Sequence, residues 1–405
     1  MCSPRRRSTA THDDPEAPDK RILGVATETY VAPQSIGVGN RARTLESQIC
    51  NHEGGPSVRW DDVFVNAVAA SLGRRESTAA AVADGRYDAD EMKASGFLSV
   101  SVSETVPPVD LAVEAGRLAM DRADLPADRF TIVTHSSVAF QGLDDFAPAA
   151  YVQRRTTGGR TNAVEIRQAS NGGLTALELA AGHLSAGPPA AAALLTTSDV
   201  FAPPGYDRYG TSGTLNGDGG TALVLARGGG VARLLSTVSV ADTTHEGLQR
   251  GAEPWTNVNG GNGWPIDTDA RVAGYVEQHG PEIFVELVRS IFTAERESVV
   301  GALAQAGLGA DDIDWWVFPN MGLSLTDWDA RATIGVDQAR STWEWGRRTG
   351  HLGAGDQFAG LAHLIESGAT RPGQRILLHG AGTGFTFTSA VVEILTQPQW
   401  PASAG

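Results

Sequence analysis

A serine lies at a predicted strand-to-helix junction, where it could act as a nucleophile. Between Glu165 and Leu174 an apolar strand pattern gives way to a helical one within one or two residues of Ser170. Because backbone N–H groups at a helix N-terminus favour a developing negative charge, the position suits a nucleophile whose acyl oxygen needs stabilising. The alternative is an ordinary helix cap, since Ser and Asn are preferred there. A Gly-x-Ser-x-Gly nucleophile elbow is absent, because Gln168 occupies its first glycine position.

A histidine and an aspartate five residues apart provide a candidate base and its partner. His351 and Asp356 belong to the glycine-rich segment Gly350 to Gln357, which runs into a predicted helix. A weak nucleophile such as serine needs a base that removes its proton and a carboxylate that orients the imidazole. Ser170, His351 and Asp356 could form such a set. Taken alone, Asp356 could equally cap the helix that follows it.

A third glycine-rich segment, Leu378 to Thr386, joins two predicted strands. Its glycine spacing is similar to a dinucleotide-binding fingerprint, but that fingerprint requires a helix after the turn, and Phe385 to Thr388 continues as a strand. We therefore exclude a nicotinamide site here. Backbone N–H groups of such a turn could instead form an oxyanion hole. No spacing in the chain is typical of a zinc, calcium or phosphate-loop site.

The elements that must position these residues alternate between short apolar runs and Ala-rich helical stretches, which is the pattern of an α/β body. We predict strands over Ile22–Ala26, Phe130–Thr134, Ala163–Arg167, Ala191–Thr196, Thr221–Ala226, Val231–Val240, Asp314–Phe318, Arg375–His379 and Ser389–Leu395. We predict helices over Asp110–Arg122, Gly172–Ser185, Glu282–Ala306 and Asp356–Ser367. A similar order of elements occurs twice, which indicates an internal duplication.

Four segments follow from this pattern. Residues 1–20 are polar and without periodicity, so we predict a disordered extension. Residues 21–241 and 270–405 are the two similar α/β halves. Between them lies the segment 242–269, which is rich in Gly, Asn and Trp. Because connections of this length more often have a function than serve as simple linkers, this segment is a candidate lid.

Composition excludes several classes of protein. The 405 residues carry a formal net charge of −15, which repels nucleic acid and anionic lipid over most of the surface. The two cysteines, Cys2 and Cys50, provide neither a disulfide framework nor a cysteine-based metal site. No apolar run reaches the roughly 18 residues of a membrane span, and no secretory signal is present. A soluble, cytoplasmic protein is expected.

Taken together, the motifs resemble the ketosynthase III group (3-oxoacyl-ACP synthase III) of the thiolase-like fold, from about Arg21 to about Leu395. The resemblance rests on five segments in order: Ala169 to Gly173, Asn216 to Gly220, Phe318 to Asn320, Gly350-His351 and Gly380 to Thr386. It implies two similar α/β halves forming a layered α/β/α/β/α body. It also implies an active site at the end of a narrow tunnel for an acyl thioester arm, and usually a homodimer.

Three positions depart from what the resemblance implies for a condensing member. Such a member has cysteine where Ser170 stands, histidine where Asn320 stands and asparagine where His351 stands. In condensation the histidine and asparagine stabilise the enolate formed when a malonyl group loses carbon dioxide, so the usual decarboxylation apparatus is missing. The segment Gly350 to Asp356 instead resembles a natural-product subgroup in which this histidine and aspartate complete a triad. Members of that subgroup transfer acyl groups to hydroxyls or amines, often on a sugar, and a smaller set with a serine nucleophile primes aromatic polyketides.

The resemblance therefore implies an acyltransferase of secondary metabolism. Ser170 is acylated by an acyl carrier protein or CoA thioester, His351 is its base and Asp356 orients His351. Backbone N–H groups of Ser170 and Thr383 are the expected oxyanion hole, and Asn320 donates a further hydrogen bond to the acyl group or the acceptor. No cofactor beyond the thioester donor and no metal is expected. The alternatives are a starter-unit ketosynthase that condenses a short acyl group with malonyl-ACP, and a pathway chaperone without activity.

Both kinds of donor are anionic, so a chain of charge −15 needs local positive charge where the donor docks. Arg347 and Arg348 immediately precede Gly350-His351, and Arg331 and Arg340 lie within the same eighteen residues. We predict that Arg347 and Arg348 contact the donor. The alternative is a solvated helix face on which the arginines pair with Glu344 for little gain.

Overall fold

The computed structural model describes residues 57–400. The predicted extension 1–20, the strand over Ile22–Ala26, Cys2 and Cys50 lie outside the described residues. The strands are β1 Ser57–Arg59, β2 Phe64–Leu72, β3 Arg74–Ser77, β4 Ser99–Val102, β5 Phe130–Ser136, β6 Asn162–Ile166, β7 Ala192–Asp199, β8 Gly219–Ala226, β9 Ala232–Ala241, β10 Trp315–Val317, β11 Arg375–Gly382 and β12 Thr386–Ile394. The helices are α1 Thr78–Ala83, α2 Ala89–Ser95, α3 Pro108–Ala123, α4 Pro148–Arg155, α5 Gly172–Ala186, α6 Thr268–His279, α7 Ile283–Ala306, α8 Trp328–Ala332, α9 Trp343–Gly346 and α10 Asp356–Glu366.

Ten of these strands form one mixed sheet, and β3 pairs with β4 in a small separate ribbon. The order is β10-β11-β12-β9-β2-β8-β7-β5-β6, with β1 added beside β9. Only two residue pairs, Phe64 with Arg233 and Val65 with Ala232, join β2 to β9. The sheet therefore consists of two parts with a short connection between them.

The two parts repeat one topology. In the first, β2 and β8 are antiparallel, β8 and β7 are antiparallel, and β7 and β5 are parallel. In the second, β9 and β12, then β12 and β11, are antiparallel, and β11 and β10 are parallel. Helix α5 precedes β7 in one part as α10 precedes β11 in the other. The fold thus contains two similar α/β halves. The predicted boundary after residue 241 is wrong, because β9, Ala232–Ala241, pairs with β12 and belongs to the second half.

Alternation along the strands shows how the layers are stacked. In β8, Ala222 and Val224 pack with Ala115 of α3, whereas Leu223 and Leu225 face the opposite side and pack in the cluster that contains α5 and α10. In the second half, Val392 of β12 belongs to the same cluster as α5 and α10. Its neighbour Val391 faces the opposite side and packs in the cluster that contains α7. Since successive strand residues point to opposite faces, α5 and α10 lie between the two halves of the sheet. The predicted α/β/α/β/α order is confirmed.

The central layer brings the start of α5 and the start of α10 together. Leu174 and Leu177 of α5 and Phe358 and Leu361 of α10 are at most 1% exposed and belong to one apolar cluster. Burying each such side chain contributes about 2 kcal/mol, so the contact between the two helices is firmly held. Ser170 precedes α5 and Asp356 begins α10, so the candidate catalytic residues meet at this junction.

Within the described residues every predicted strand and helix is confirmed to within a few residues, but several elements were not predicted, among them the helices α4 and α6. Strand β2, Phe64–Leu72, was not predicted. Its sequence is rich in alanine and apolar without alternation, because most of the strand is buried on both faces. Only its pairing with β8 decides that this segment is a strand. No helix in this part of the chain combines the length and apolar character that a membrane crossing requires.

Candidate active site

Ser170 lies in a single 3₁₀ turn, Ala169–Asn171, between β6 and α5. The preceding residue, Ala169, has φ of +45°, a left-handed conformation that costs a non-glycine residue about 1–2 kcal/mol. Helix α5 has Asn171 as its N-cap and no side-chain cap hydrogen bond, so Ser170 is not a capping residue. Instead, Ser170 Oγ lies 2.8 Å from His351 Nε2. The alternative of an ordinary cap is therefore wrong for Ser170.

Glycine at the start of α5 allows this close approach. A β-carbon at Gly173 would lie 2.5 Å from the carbonyl oxygen of Ala354, and one at Gly172 would lie 2.9 Å from Ser136 Cβ. A side chain at Gly173 would push α5 away from the turn at Gly353–Gly355, and one at Gly172 would push it away from β5. Gly173 thus allows the nucleophile turn to pack against the segment that carries the histidine.

The backbone of His351 is fixed by the segment that precedes β8. Its N–H donates to Leu215 O at 2.8 Å, and its carbonyl accepts from Gly217 N at 2.9 Å. Gly350, with φ of +80°, supplies the left-handed turn immediately before it. The Asn216 to Gly220 motif therefore positions the histidine through backbone hydrogen bonds.

Asp356 is fully buried and accepts four hydrogen bonds. Oδ2 lies 2.6 Å from His351 Nδ1 and accepts from Asn320 N at 2.8 Å. Oδ1 accepts from Leu352 N at 2.7 Å and from Asn320 Nδ2 at 3.1 Å. None of these donors is an N–H group of the helix that Asp356 begins, so the capping alternative is wrong here as well.

These contacts determine the electrostatics of His351. Burial by itself lowers the pKa of the His351 imidazole. The negative charge of Asp356 and its hydrogen bond, together with the charge of the buried Asp199 carboxylate, outweigh burial. The pKa of His351 is therefore raised above its ordinary value. Because Asp356 accepts the proton on Nδ1, the hydrogen-bond network assigns the lone pair to Nε2, which faces Ser170. The arrangement can remove a proton from the serine hydroxyl.

Asn320 does not point where we expected. Its Nδ2 donates to Gly350 O at 2.9 Å and to Asp356 Oδ1 at 3.1 Å, and the residue is 2% exposed. Both amide hydrogens are therefore used by the protein. The expectation that Asn320 donates to the acyl group or the acceptor is wrong; it supports Asp356.

The glycine turn after β11 lies beside the nucleophile turn. A β-carbon at Gly382 would lie 2.5 Å from Gln168 O and 3.0 Å from Asn171 N. Gln168 Nε2 donates to Thr386 Oγ1 at 2.9 Å, which ties β12 to the same turn. Thr383 directly follows Gly382, so its N–H is adjacent to the turn that bears Ser170. Participation of the Ser170 and Thr383 N–H groups in an oxyanion hole stays a prediction.

The four arginines do not form one surface. Arg331 makes two hydrogen bonds with the buried carboxylate of Glu295, at 2.7 and 3.0 Å, and its guanidinium lies 4.0 Å from the centre of the Phe318 ring. Arg340 contacts Asp337 and Ile313 O. Arg331 and Arg340 are thus used within the fold, because buried carboxylates and carbonyls need donors.

Arg347 and Arg348 remain partly exposed beside the histidine segment. Arg347 donates to Gly96 O at 3.0 Å and to Glu344 at 3.3 Å. In the described part of the chain Arg348 has no ion pair. Their contact with a donor stays a prediction.

Comparison with known proteins identifies the family. A family model described as 3-oxoacyl-[acyl-carrier-protein (ACP)] synthase III C terminal matches residues 303–394. The β-ketoacyl-[acyl-carrier-protein] synthase III of Rhodospirillum rubrum is 30% identical over 293 residues, which cover 70% of this chain and 84% of that protein. The chain belongs to the β-ketoacyl-ACP synthase III family.

Other similar proteins have different named activities. The acetoacetyl CoA synthase NphT7 of Streptomyces is 28% identical, over 70% of this chain and 83% of that protein. The solved structure of ChlB3, an acyltransferase, is 34% identical with a TM-score of 0.79 and covers 84% of this chain and 100% of that one. The synthase III structure from Xanthomonas oryzae is 18% identical with a TM-score of 0.65 and supports the thiolase-type fold. The relatives therefore include both condensing and acyl-transferring proteins.

Two residues of this synthase III site were not found from the sequence. Asp199, at the end of β7, is a second buried carboxylate beside the His351 turn, and Ala169 holds the strained φ before the nucleophile. An aspartate that ends an apolar strand was a signal for the first. Nothing in the local sequence indicates a positive φ at an alanine.

Proposed function

We propose that the protein is an acyltransferase that moves an acyl group from a CoA or acyl carrier protein thioester, through a Ser170 ester, to a hydroxyl or amine acceptor. The observation that carries the proposal is the continuous chain of contacts from Ser170 Oγ to His351 Nε2, 2.8 Å, and from His351 Nδ1 to Asp356, 2.6 Å. A serine needs such a base because its hydroxyl is a weak nucleophile at neutral pH.

In the first step Ser170 Oγ attacks the thioester carbonyl carbon, and its proton passes to His351 Nε2. The oxygen of the tetrahedral intermediate is stabilised by the N–H groups of Ser170 and Thr383. The carbon–sulfur bond then breaks, and the thiolate leaves with the proton from His351. Asp356 stabilises the imidazolium while it exists and keeps the proton on Nδ1 in place.

In the second step the acceptor takes the place of the thiol. Its hydroxyl or amine attacks the Ser170 ester while His351 removes the proton, and the carbon–oxygen bond to Ser170 breaks as His351 returns a proton to Oγ. The free Ser170 hydroxyl and the neutral His351 imidazole are restored. No redox step is needed, so the reaction consumes only the donor and the acceptor.

The hydrogen bonds of the Asn320 amide favour acyl transfer over decarboxylative condensation. Condensation requires donors aimed at the carbonyl of the malonyl group while it loses carbon dioxide, and both amide hydrogens of Asn320 are directed instead at Gly350 and Asp356. A starter-unit ketosynthase remains the second candidate, because the curated relatives include synthases III and an acetoacetyl CoA synthase.

Intact-mass measurement after incubation with a panel of acyl-CoA and acyl-carrier-protein thioesters tests the proposal. We expect an adduct of the acyl mass in the unaltered protein and none in Ser170→Ala. Addition of alcohols or amines should then remove the adduct and release the corresponding ester or amide. His351→Ala, with the serine intact, should form the adduct at least 100-fold more slowly.

The same samples separate the two candidate functions. With a malonyl thioester as the second substrate, carbon dioxide release together with a 3-oxoacyl product would establish condensation and overturn transfer. Unchanged activity in both Ser170→Ala and His351→Ala would contradict both mechanisms. An adduct retained in Ser170→Ala would place the nucleophile elsewhere.

A further inference from the structure

Asp199 is a buried carboxylate that the proposed mechanism does not use. It is the last residue of β7 and is 0% exposed. Oδ1 accepts from Val138 N at 2.7 Å and from Ala139 N at 2.6 Å, and Oδ2 accepts from Ala354 N at 3.2 Å. No cation pairs with it among residues 57–400. When such a buried carboxylate is ionised, no nearby cation neutralises it, so its negative charge acts on neighbouring groups.

The hydrogen bond from Ala354 N places Asp199 against the active site. Ala354 lies between His351 and Asp356, in the turn that joins the base to its carboxylate partner. Gly353 has φ of +58°, and a β-carbon there would overlap Oδ2 of Asp199. The carboxylate therefore packs directly on this turn, in a space that only glycine leaves open. Asp199 and Asp356 approach the His351 segment from two different elements, β7 and α10.

We propose that Asp199 is a positioning residue of the catalytic site, which anchors the turn between His351 and Asp356 and supplies a second negative charge to the imidazolium that forms during acylation. The inference rests on the proposed function, because it concerns the proton that His351 takes from Ser170. Asp199 contacts neither the serine nor the imidazole directly, so it acts through the turn and through its charge.

Asp199 and His351 influence each other's ionisation. Burial raises the pKa of Asp199 to about 7, against the lowering effect of its three backbone donors and of His351, so Asp199 exerts its charge on His351 mainly above that pH. Reciprocally, Asp199 is one of the groups that raise the pKa of His351, after Asp356. The ionisable groups that influence His351 are Asp356 and Asp199. Asp199 also acts on the phenol of Tyr206, whose pKa is raised by burial first and then by the charge of Asp199.

Asp199→Asn tests the proposal by removing the charge while keeping the side chain's size. The amide oxygen can still accept from Val138 and Ala139, but the hydrogen bond from Ala354 is lost. We expect the acid limb of the acylation rate to move to lower pH by about half a unit to one unit. We also expect the maximum acylation rate to fall about tenfold, with the donor concentration for half-maximal rate unchanged within twofold.

Glu295→Gln is the matched control. Glu295 is also a buried carboxylate, accepts from Arg331 Nε and Nη2, and is not among the groups that influence His351. Both variants should lower the melting temperature. Only Asp199→Asn should move the acid limb of the acylation rate. If the acid limb lies at the same pH in both variants and in the unaltered protein, the proposal is overturned and Asp199 has a structural role alone.

A measurement without turnover separates this inference from the proposed function. NMR titration of ¹⁵N-labelled histidine in the Ser170→Ala background reports the pKa of His351 whether or not any thioester acylates the enzyme, and Asp199→Asn should lower it. If Asp199→Asn does not fold, the electrostatic interaction between Asp199 and His351 is measured by substituting His351 instead. In His351→Gln, ¹³C NMR of labelled aspartate should show the pKa of Asp199 raised; an unchanged value would overturn the proposal.

Discussion

His351 Nδ1 lies 2.6 Å from Oδ2 of Asp356, a carboxylate that is itself fully buried and held by three further N–H donors. This contact assigns the proton of the neutral imidazole to Nδ1. The four residues between His351 and Asp356 form a tight glycine turn. A change in either residue, or in the groups around the carboxylate, therefore alters the basicity of Nε2, which faces Ser170.

The acid limb of acylation should lie above pH 6.5. His351 acts as a base only when neutral, and Asp356 raises the pKa of the imidazole above its ordinary value despite burial. Below the raised pKa the rate should fall about tenfold per pH unit. Single-turnover acylation between pH 5 and pH 9 measures the limb; a profile that stays flat down to about pH 5 would show that His351 is not the base.

Asn320→Ala should slow acylation about tenfold without weakening donor binding. The substitution removes one hydrogen-bond donor from Asp356 and the hydrogen bond to Gly350, so less of the carboxylate's charge is engaged by other donors and it holds the imidazolium more tightly. The acid limb should therefore move to higher pH, opposite in sign to the shift expected for Asp199→Asn. Asn66→Ala, which removes an amide bonded to Gly229 O far along the chain, is the control and should leave the limb in place.

Stability should decrease as pH falls from about 6.5 to about 4. His135 and His379 are fully buried, and burial lowers the pKa of each to about 4 in the folded protein, whereas the unfolded chain binds the proton at its ordinary value. The unfolded state then holds more protons across this window, so each histidine removes about 3 kcal/mol of the free energy of unfolding over it. Asp199, whose pKa burial raises to about 7, binds its proton more readily in the folded protein over the same window and offsets part of this loss. His351 has a raised pKa, and its stabilising contribution is lost only as pH rises above about 6.5.

Urea unfolding at pH 7 and pH 5 checks this slope. His379→Gln should flatten the pH dependence even if it lowers stability at pH 7, because the glutamine does not titrate. His183→Gln changes an exposed histidine and should leave the slope as it is. An equal slope in His379→Gln and the unaltered protein would contradict the assignment.

Arg347→Glu together with Arg348→Glu should raise the Michaelis constant for a carrier-bound donor several-fold and reduce its salt dependence. Turnover with a small uncharged thioester should hardly change. Arg289→Glu with Arg296→Glu makes the same change in net charge on exposed positions of α7 and is the matched control. Equal losses with charged and uncharged donors would mean that the arginines support the His351 segment structurally.

Local chemistry determined the nucleophile turn, the histidine segment and most of the strands and helices, because strand and helix periodicity and glycine-rich turns are properties of neighbouring residues. Ser170, His351 and Asp356 were candidates on this ground alone. The family resemblance of the same segments made the layered α/β fold predictable before any contact between them was known.

Tertiary structure decided the rest, because it depends on residues distant in the chain. Four contacts show this: β2 pairs with β8, the Asn320 amide donates to Asp356, Arg331 donates to Glu295, and Asp199 packs on the turn at Gly353. They join residues between 36 and 162 positions apart in sequence. A buried polar side chain is directed by whichever donor or acceptor the packing brings to it, and that partner has no signature in the residues beside it.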